Sequence, residues 1–258
     1  MDISLSEFGM ERWSGKVALV TGANSGIGAA VTRRLLKLGL IVVALDRNIE
    51  LLQEWATKDG SFGQLYPRQC DLCNENEVLE TFRWIETCLG GVDILVNNAG
   101  VTGQNSLIEG NPDEWKHLLD VNVVALCLCT KEAVASMRRR NAKYGHIFNL
   151  CSTLAHMVHP FGPLHFYAAT KHAVSALTDG LRQELTEVNT RIRVTSISPG
   201  LVKSNIFKTC LGPDIHETVY KKPSLDPSDV ASAIEYALSS PTHVQVNEIV
   251  IKPMESLA

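Results

Sequence analysis

Thr21-Gly-Ala-Asn-Ser-Gly-Ile-Gly28 follows an apolar run, Lys16–Val20, and precedes Ala29–Leu38, whose apolar residues recur at helical spacing. The order is strand, glycine-rich turn, helix. Glycine at 22, 26 and 28 lets the backbone turn tightly and lets a polyanion approach the amides that open the helix, where the dipole favours negative charge. The spacing is not G-x-G-x-x-G, but the physical demand is the same. A glycine-rich turn also serves purely structural ends; its place behind an apolar strand is what points to a nucleotide.

Outward from that turn, β-branched runs and amphipathic stretches alternate. Strands are expected at Leu40–Leu45, Gln64–Cys70, Val92–Val96, His146–Leu150, Ile192–Ile197 and Val246–Ile251. Helices are expected at Ile49–Trp55, Glu75–Leu89, Tyr167–Val188 and Pro227–Leu238, with a further apolar helix around Leu118–Val124. Such alternation implies an α/β fold: a Rossmann-type, doubly wound parallel sheet of about seven strands with helices on both faces. No repeat or linker divides the 258 residues, so a single domain is expected, with residues 1–12 as an N-terminal extension. Residues 201–226 are the least regular stretch, and a long irregular segment in a compact domain is usually functional.

Composition narrows the function classes. Hydrophobic residues are 45% and charged residues 20%, with a net charge of −4, which suits a chain able to bury a full core and gives no basic face for nucleic acid. The dense basic run, Arg138-Arg139-Arg140, reads as the solvated end of a helix. Seven cysteines, an odd number, fit a reducing compartment. Cys70-Asp-Leu-Cys73 has no second Cys/His pair at zinc-like spacing, so no metal is expected. Without a secretory leader or an apolar run of membrane-spanning length, the expected location is the cytoplasm.

Asp46 ends the second strand, near where an acidic residue would hold the adenosine ribose, and Asp71 ends the third, within reach of the adenine. Either acid could instead be a cap or a solvated loop residue. Asp46 and its neighbour Arg47 oppose each other. A carboxylate accepts both ribose hydroxyls and repels a 2′-phosphate, favouring NAD(H); a guanidinium pairs with that phosphate, favouring NADP(H). The reading leans slightly to NAD(H).

Tyr167-Ala-Ala-Thr-Lys171 sets a phenol and an ammonium on one face of a helix. A phenol ionises near pH 10, and a nearby cation lowers that value, which suits a proton carrier for an alcohol. Ser152 follows the fifth strand, where a hydroxyl could orient a substrate oxygen or cap a turn. Asn97-Asn98-Ala99-Gly100 ends the fourth strand and Pro199-Gly200 the sixth. Asn122, polar in an apolar helix, needs a partner. His156, His159 and His165 invite a metal reading, but no carboxylate pattern accompanies them; pocket lining is the alternative for His159 and His165.

In their order along the chain, Thr21–Gly28, Asn97–Gly100, Asn122, Ser152, Tyr167–Lys171 and Pro199-Gly200 resemble the short-chain dehydrogenase/reductase family from Trp13 to about Pro253. The resemblance implies a tetrad. Tyr167 is the acid/base, Ser152 polarises the substrate oxygen, Lys171 binds the nicotinamide ribose and lowers the Tyr167 pKa, and Asn122 holds a relay water. It implies NAD(H) or NADP(H) held by Thr21, Gly22, Asn24, Ser25, Gly26, Ile27, Gly28, Asp46, Arg47, Asp71, Leu72, Asn98, Ala99, Gly100, Tyr167, Lys171, Pro199, Gly200, Val202 and Ser204. Met10–Val17 and Leu181–Leu185 look like the branch of insect farnesol dehydrogenases and animal dehydrogenase/reductase family member 11. That branch usually has a neutral residue before the arginine and prefers NADP(H), and Asp46 departs from it; it usually has Thr where this chain has Ser204. A homodimer or homotetramer is implied, compatible with the stripe Ala169, Ala173, Ala176 and Leu177.

The expected activity is interconversion of a hydrophobic alcohol and its carbonyl. The apolar segment with Leu201, Ile206, Phe207 and Leu211 lies beside the tetrad, and farnesol is the best single substrate by resemblance. Steroids or small aromatic carbonyls are the alternatives. The rival classes are an epimerase on the same fold and a non-catalytic dinucleotide sensor.

Overall fold

A computed structural model describes residues 9–58, 64–103, 106–211 and 213–256. Seven parallel strands form one sheet: β1 (Val17–Thr21), β2 (Ile41–Asp46), β3 (Gln64–Gln69), β4 (Ile94–Asn97), β5 (Gly145–Leu150), β6 (Ile192–Pro199) and β7 (Glu248–Ile251). Their order is β3-β2-β1-β4-β5-β6-β7. The order reverses between β1 and β4, and ligands of such sheets bind in the crevice at that reversal, beyond the carboxyl ends of the strands.

Alternation along the central strands builds two cores. Ala18, Val20, Val42, Ala44, Ile94, Val96 and Phe148 face one side, packing on α1 (Gly26–Lys37), α2 (Glu50–Lys58) and α9 (Pro227–Ser239). Val17, Leu19, Val43, Leu45, Leu95 and Ile147 face the other, packing on α3 (Glu75–Leu89), α5 (Ala125–Arg139) and α6 (His165–Glu187). Burial on both faces is why these strands read as continuous apolar runs. Pro67 is tolerated because β3 lies at an edge and needs hydrogen bonds on one side only.

Several expectations need correction. β4 begins at Ile94 rather than Val92: the chain enters from the left-handed Gly90–Gly91 turn, and buried Asp93 gives its carboxylate to the Val17 amide (3.0 Å) and the Arg140 guanidinium (3.2 Å). Arg140 is therefore not solvated helix end, and Arg139 pairs with Glu86 at 2.9 Å. α6 starts two residues before Tyr167, and β7 starts at Glu248 rather than Val246. The helix expected around Leu118–Val124 is α4 (Pro112–Leu119) followed by a π turn, Asp120–Val124, before α5. The segment 201–226 is not irregular throughout, since it carries α7 (Ile206–Leu211) and α8 (Pro213–Val219). At the end of the expected N-terminal extension, the Arg12 guanidinium bonds the carbonyls of Leu238 and Ser240, and next to it buried Trp13 donates to the Leu238 carbonyl at 3.0 Å. Residues 1–8 and Gly212 lie outside the described residues.

His146 on β5 supplies a pH test of this core. Its ring is fully buried, stacked on Phe148 at 4.0 Å, and Nε2 lies 2.8 Å from the Thr195 hydroxyl. That hydroxyl donates to the Val246 carbonyl (2.7 Å), so it accepts from His146. Burial, then Arg193 and Arg12, hold the imidazole pKa well below 6.5. The folded chain keeps His146 neutral while the unfolded chain protonates it below about pH 6.5. Stability is therefore fully present above that pH and falls beneath it by about 1.4 kcal/mol per pH unit. Urea unfolding from pH 7 to 5 is expected to show this slope in the wild type, reduced by that amount in His146→Gln; equal slopes would refute it.

Candidate active site

The glycine-rich turn is held from both sides. The Thr21 hydroxyl accepts the amides of Asn98 and Ala99 at 3.0 Å each, and the Asn98 side-chain amide donates to the carbonyls of Thr21 (2.8 Å) and Gly22 (3.0 Å). On the other side Asp46 accepts the Asn24 amide at 3.0 Å and the Asn48 amide at 3.3 Å. Gly22 and Gly26 have φ of +63° and +50°. A Cβ on Gly22 would lie 2.9 Å from the Ala99 Cα, one on Gly26 2.9 Å from the Ser204 Cβ, and one on Gly28 2.1 Å from the Gly22 carbonyl oxygen.

This cradle fits a dinucleotide. Its glycines leave space that any side chain would fill. Ser25, extended at φ −151°, starts α1 without a side-chain cap, so the first amides of the helix remain available to a pyrophosphate. The Asn24 Oδ1 is shielded from solvent with no partner. Asp71 is exposed and accepts the Cys73 amide (3.0 Å) and the Cys73 thiol within its own turn.

The structure brings Asn122, Ser152, Tyr167 and Lys171 together beyond the carboxyl ends of β4 and β5. Buried Lys171 donates to the carbonyl of Leu150, the last residue of β5, at 2.8 Å, and its Nζ lies 5.7 Å from the centre of the Tyr167 ring. Burial pushes the ammonium pKa down. The Ser152 hydroxyl does two jobs: it accepts the Leu154 amide (3.1 Å), capping a turn, and hydrogen-bonds the Tyr167 phenol. Burial first, and Cys151 next, push the phenol upward from its ordinary value, with the Ser152 bond opposing them. The lowered phenol pKa expected from Lys171 is therefore corrected for the polypeptide alone. One ammonium proton goes to the Leu150 carbonyl and Nζ stands 5.7 Å from the ring centre, so in the polypeptide alone the cost of taking the phenolate out of water dominates.

Asn122 acts here as a clamp. In the π turn, its Oδ1 accepts the Val101 amide (2.8 Å), while Nδ2 donates to the Val101 carbonyl (2.9 Å) and the Thr170 hydroxyl (3.1 Å). π turns often occur at functional sites because they re-aim one side chain within a helix. The Thr170 hydroxyl donates to the Tyr167 carbonyl (2.7 Å), so Asn122 ties the loop after β4 to the first turns of α6. Below it lies a buried relay of side chains: the Asn97 amide donates to Thr130 and Asn149 (2.9 Å each), and Asn149 donates to Thr178 at 2.8 Å. Sequence reading missed Thr130, Asn149 and Thr178; an Asn in the apolar run His146–Leu150 was the available signal.

The substrate-side expectations fare unevenly. His159 and His165 staple their own loop: His159 Nδ1 accepts the Phe161 amide, and His165 Nε2 donates to the His159 carbonyl, both at 3.0 Å. Phe207 meets Tyr220 edge-on, with ring centres 6.0 Å apart. Leu201 pairs its carbonyl with the Leu225 amide at 2.8 Å. A cleft of about 650 Å³ opens between α4 and α7, lined by Arg47, Val101–Gly103, His117 and Thr209–Leu211. It contains none of His159, His165, Leu201 or Phe207; Arg47 brings it to the end of β2, and Val101 and Cys210 carry it toward Asn122 and Tyr167. Among the described residues, no three His, Cys, Asp or Glu side chains form a metal-ligand group, and all seven cysteines are free thiols.

Residues 16–211 match the family described as short chain dehydrogenase. The chain belongs to that family. It is thus an NAD(P)-dependent oxidoreductase of the short-chain dehydrogenase/reductase type, with the Rossmann-like sheet of that family. It is 46% identical to mouse dehydrogenase/reductase SDR family member 11 over 259 residues, covering 98% of this chain and 100% of that one. Against farnesol dehydrogenase of Aedes aegypti the identity is 40% over 248 residues, covering 95% and 98%. The closed form of a serine dehydrogenase complexed with NADP+ superposes with a TM-score of 0.83 at 32% identity, covering 91% of this chain and 94% of that one. These matches support the branch read from Met10–Val17 and Leu181–Leu185.

Proposed function

We propose that this short-chain dehydrogenase interconverts a hydrophobic alcohol and its aldehyde or ketone, with a terpenoid alcohol such as farnesol as the leading substrate. The observation that carries this is the Ser152–Tyr167–Lys171 cluster beside the apolar excursion of α7, in a chain 40% identical to a farnesol dehydrogenase. Bound nicotinamide dinucleotide supplies the hydride acceptor or donor. Thr21–Gly28, Asn98–Gly100, Pro199, Gly200, Val202 and Ser204 would hold it. Ser152 holds the substrate oxygen beside the Tyr167 hydroxyl, which carries the proton. Lys171 stabilises the phenolate that forms on oxidation, and Asn122 keeps α6 in register with β4. The exposed side chains of Ala169, Ala176 and Leu177 on α6, and of Val124 in the π turn before α5, support a homodimer or homotetramer. No helix among the described residues is long and apolar enough to cross a membrane; with seven free thiols, this supports the cytoplasm as its location.

For the cofactor we favour NAD(H). Asp46 sets a carboxylate against the turn that would carry a 2′-phosphate, and Asn24 and Ser25 of that turn carry no cation. The exposed Arg47 on the cleft favours NADP(H) instead, as does the similar serine dehydrogenase complexed with NADP+. Initial rates with farnesol, other long apolar alcohols, steroids and short polyols, each with NAD+ and NADP+, test both points. Turnover is expected to be best with long apolar alcohols. Asp46→Ala is expected to shift the kcat/KM ratio toward NADP+ by about tenfold or more, the equivalent of one charged hydrogen bond. A preference for polyols would refute the substrate class, and an unmoved ratio the role of Asp46. Dinucleotide binding without turnover of any alcohol or carbonyl would instead favour the sensor.

A further inference from the structure

We infer that Tyr220 is a positioning residue for the dinucleotide cleft: its phenol holds Val202–Ser204 against the glycine-rich turn while its ring braces α7. The inference rests on the dehydrogenase reading above and adds to it a residue outside the expected set of contacts.

The chain leaves the sheet after β6 and returns at Leu225. The neck of this excursion is tied by two main-chain bonds, Leu225 amide to Leu201 carbonyl and Lys203 amide to Leu225 carbonyl, each 2.8 Å, around the Val202–Leu225 bridge. Ser204 is the first residue past that ladder. It is also where the excursion meets the turn, since a Cβ on Gly26 would lie 2.9 Å from the Ser204 Cβ. Nothing in the ladder fixes Ser204 itself.

Tyr220, just after α8, reaches back and does so. Its oxygen accepts the Ser204 amide at 3.0 Å, and its one proton is shared between the carbonyls of Val202 (2.8 Å) and Ser204 (2.9 Å). The Ser204 hydroxyl lies 3.5 Å away. A phenolic hydroxyl is both donor and acceptor, so a single side chain can close the donor and acceptor sites of one backbone bend. Its ring is half-buried and meets Phe207 of α7 edge-on at 68°. α7 in turn carries Thr209–Leu211 to the cleft that Arg47 and Thr102 line. Tyr220 thus connects the backbone beside the first turn of α1 with the wall of the cleft. Loss of its hydroxyl frees the Ser204 bend, and the bound state must then order it.

The test is calorimetric titration of the full chain with NAD+ and with NADP+, for wild type and Tyr220→Phe. The expected result is a Kd about tenfold higher in the variant, the loss of one or two neutral hydrogen bonds. In steady state the dinucleotide KM is expected to rise by more than kcat falls, with the thermal midpoint lowered by only a few degrees, about what one or two neutral hydrogen bonds contribute. A wild-type Kd in folded Tyr220→Phe would overturn the inference. Should that variant fail to fold, amide exchange of the wild-type chain decides: the Ser204 amide is expected to exchange as slowly as those of Lys203 and Leu225, and exchange at open-loop rates would overturn it. The wild-type titration alone decides the underlying reading, because a chain that binds neither dinucleotide would refute the dehydrogenase assignment first.

Discussion

Tyr167→Phe is expected to lower kcat for alcohol oxidation by about 10²- to 10⁴-fold, the range over which a positioned acid/base acts. That corresponds to roughly 3–5 kcal/mol of transition-state stabilisation. The substitution removes one oxygen and keeps the ring, so the setting of Lys171 on the Leu150 carbonyl should survive. The Ser152 hydroxyl loses its phenol partner but keeps the Leu154 amide. Dinucleotide affinity is accordingly expected within about threefold of wild type, the loss of at most one weak contact. A phenol is protonated at neutral pH and burial pushes its pKa further up, so the acid form is in place for carbonyl reduction. Oxidation needs the phenolate, and its stabilisation must come from Lys171 together with the charge of the bound nicotinamide. Steady-state rates in both directions, with calorimetric titration of the dinucleotide, check this. Turnover within tenfold of wild type would move the proton-carrying role to another group.

The fold was legible because the central strands are buried on both faces. β1, β2 and β4 therefore read as unbroken apolar runs, and the glycine-rich turn announces itself between β1 and α1. Errors clustered where side chains override local pattern. Asp93 looks like part of a strand, but the turn at Gly90–Gly91 leads straight into it, and its carboxylate is held by the Val17 amide and Arg140. The helices of the 201–226 excursion are short, six and seven residues, too brief for periodicity to reveal. In the candidate site, the spacing of Tyr167 and Lys171 on one helix was readable, because a helix fixes which residues share a face. The partners of Asn122, the Asn97–Asn149–Thr178 relay and the reach of Tyr220 to Ser204 were not. Each joins residues far apart in the chain, and only the packed fold sets such a distance. The histidines show a different point: His159 and His165 each give one ring nitrogen to their own loop, a tie that the sequence does not announce.

Gly28→Ala is expected to abolish dinucleotide binding or unfold the chain, whereas Gly180→Ala, the same chemical change, is expected to stabilise it. A Cβ on Gly28 would sit 2.1 Å from the Gly22 carbonyl oxygen and 2.5 Å from the Asn98 side-chain nitrogen. Neither can retreat cheaply. The carbonyl belongs to the turn itself, and the Asn98 amide is the bond that fastens that turn to β4. Relief requires moving Gly22 or breaking the Asn98 bonds, and both distort the surface presented to a pyrophosphate. Overpacking costs typically 1–3 kcal/mol, and losing those bonds adds to it, so a destabilisation of about 3 kcal/mol or more is expected. If the chain absorbs the strain by opening the turn, the same energy appears as a loss of more than 10²-fold in dinucleotide affinity. Gly180, within α6, has no neighbour inside 4 Å of an added Cβ. There alanine lowers only the backbone entropy of the unfolded chain, a gain of about 0.5–1 kcal/mol. Urea unfolding and calorimetric titration of both variants give the comparison. Wild-type stability together with wild-type affinity in Gly28→Ala would mean that the turn is not the rigid cradle argued above, and that its glycines serve the approach of the ligand alone.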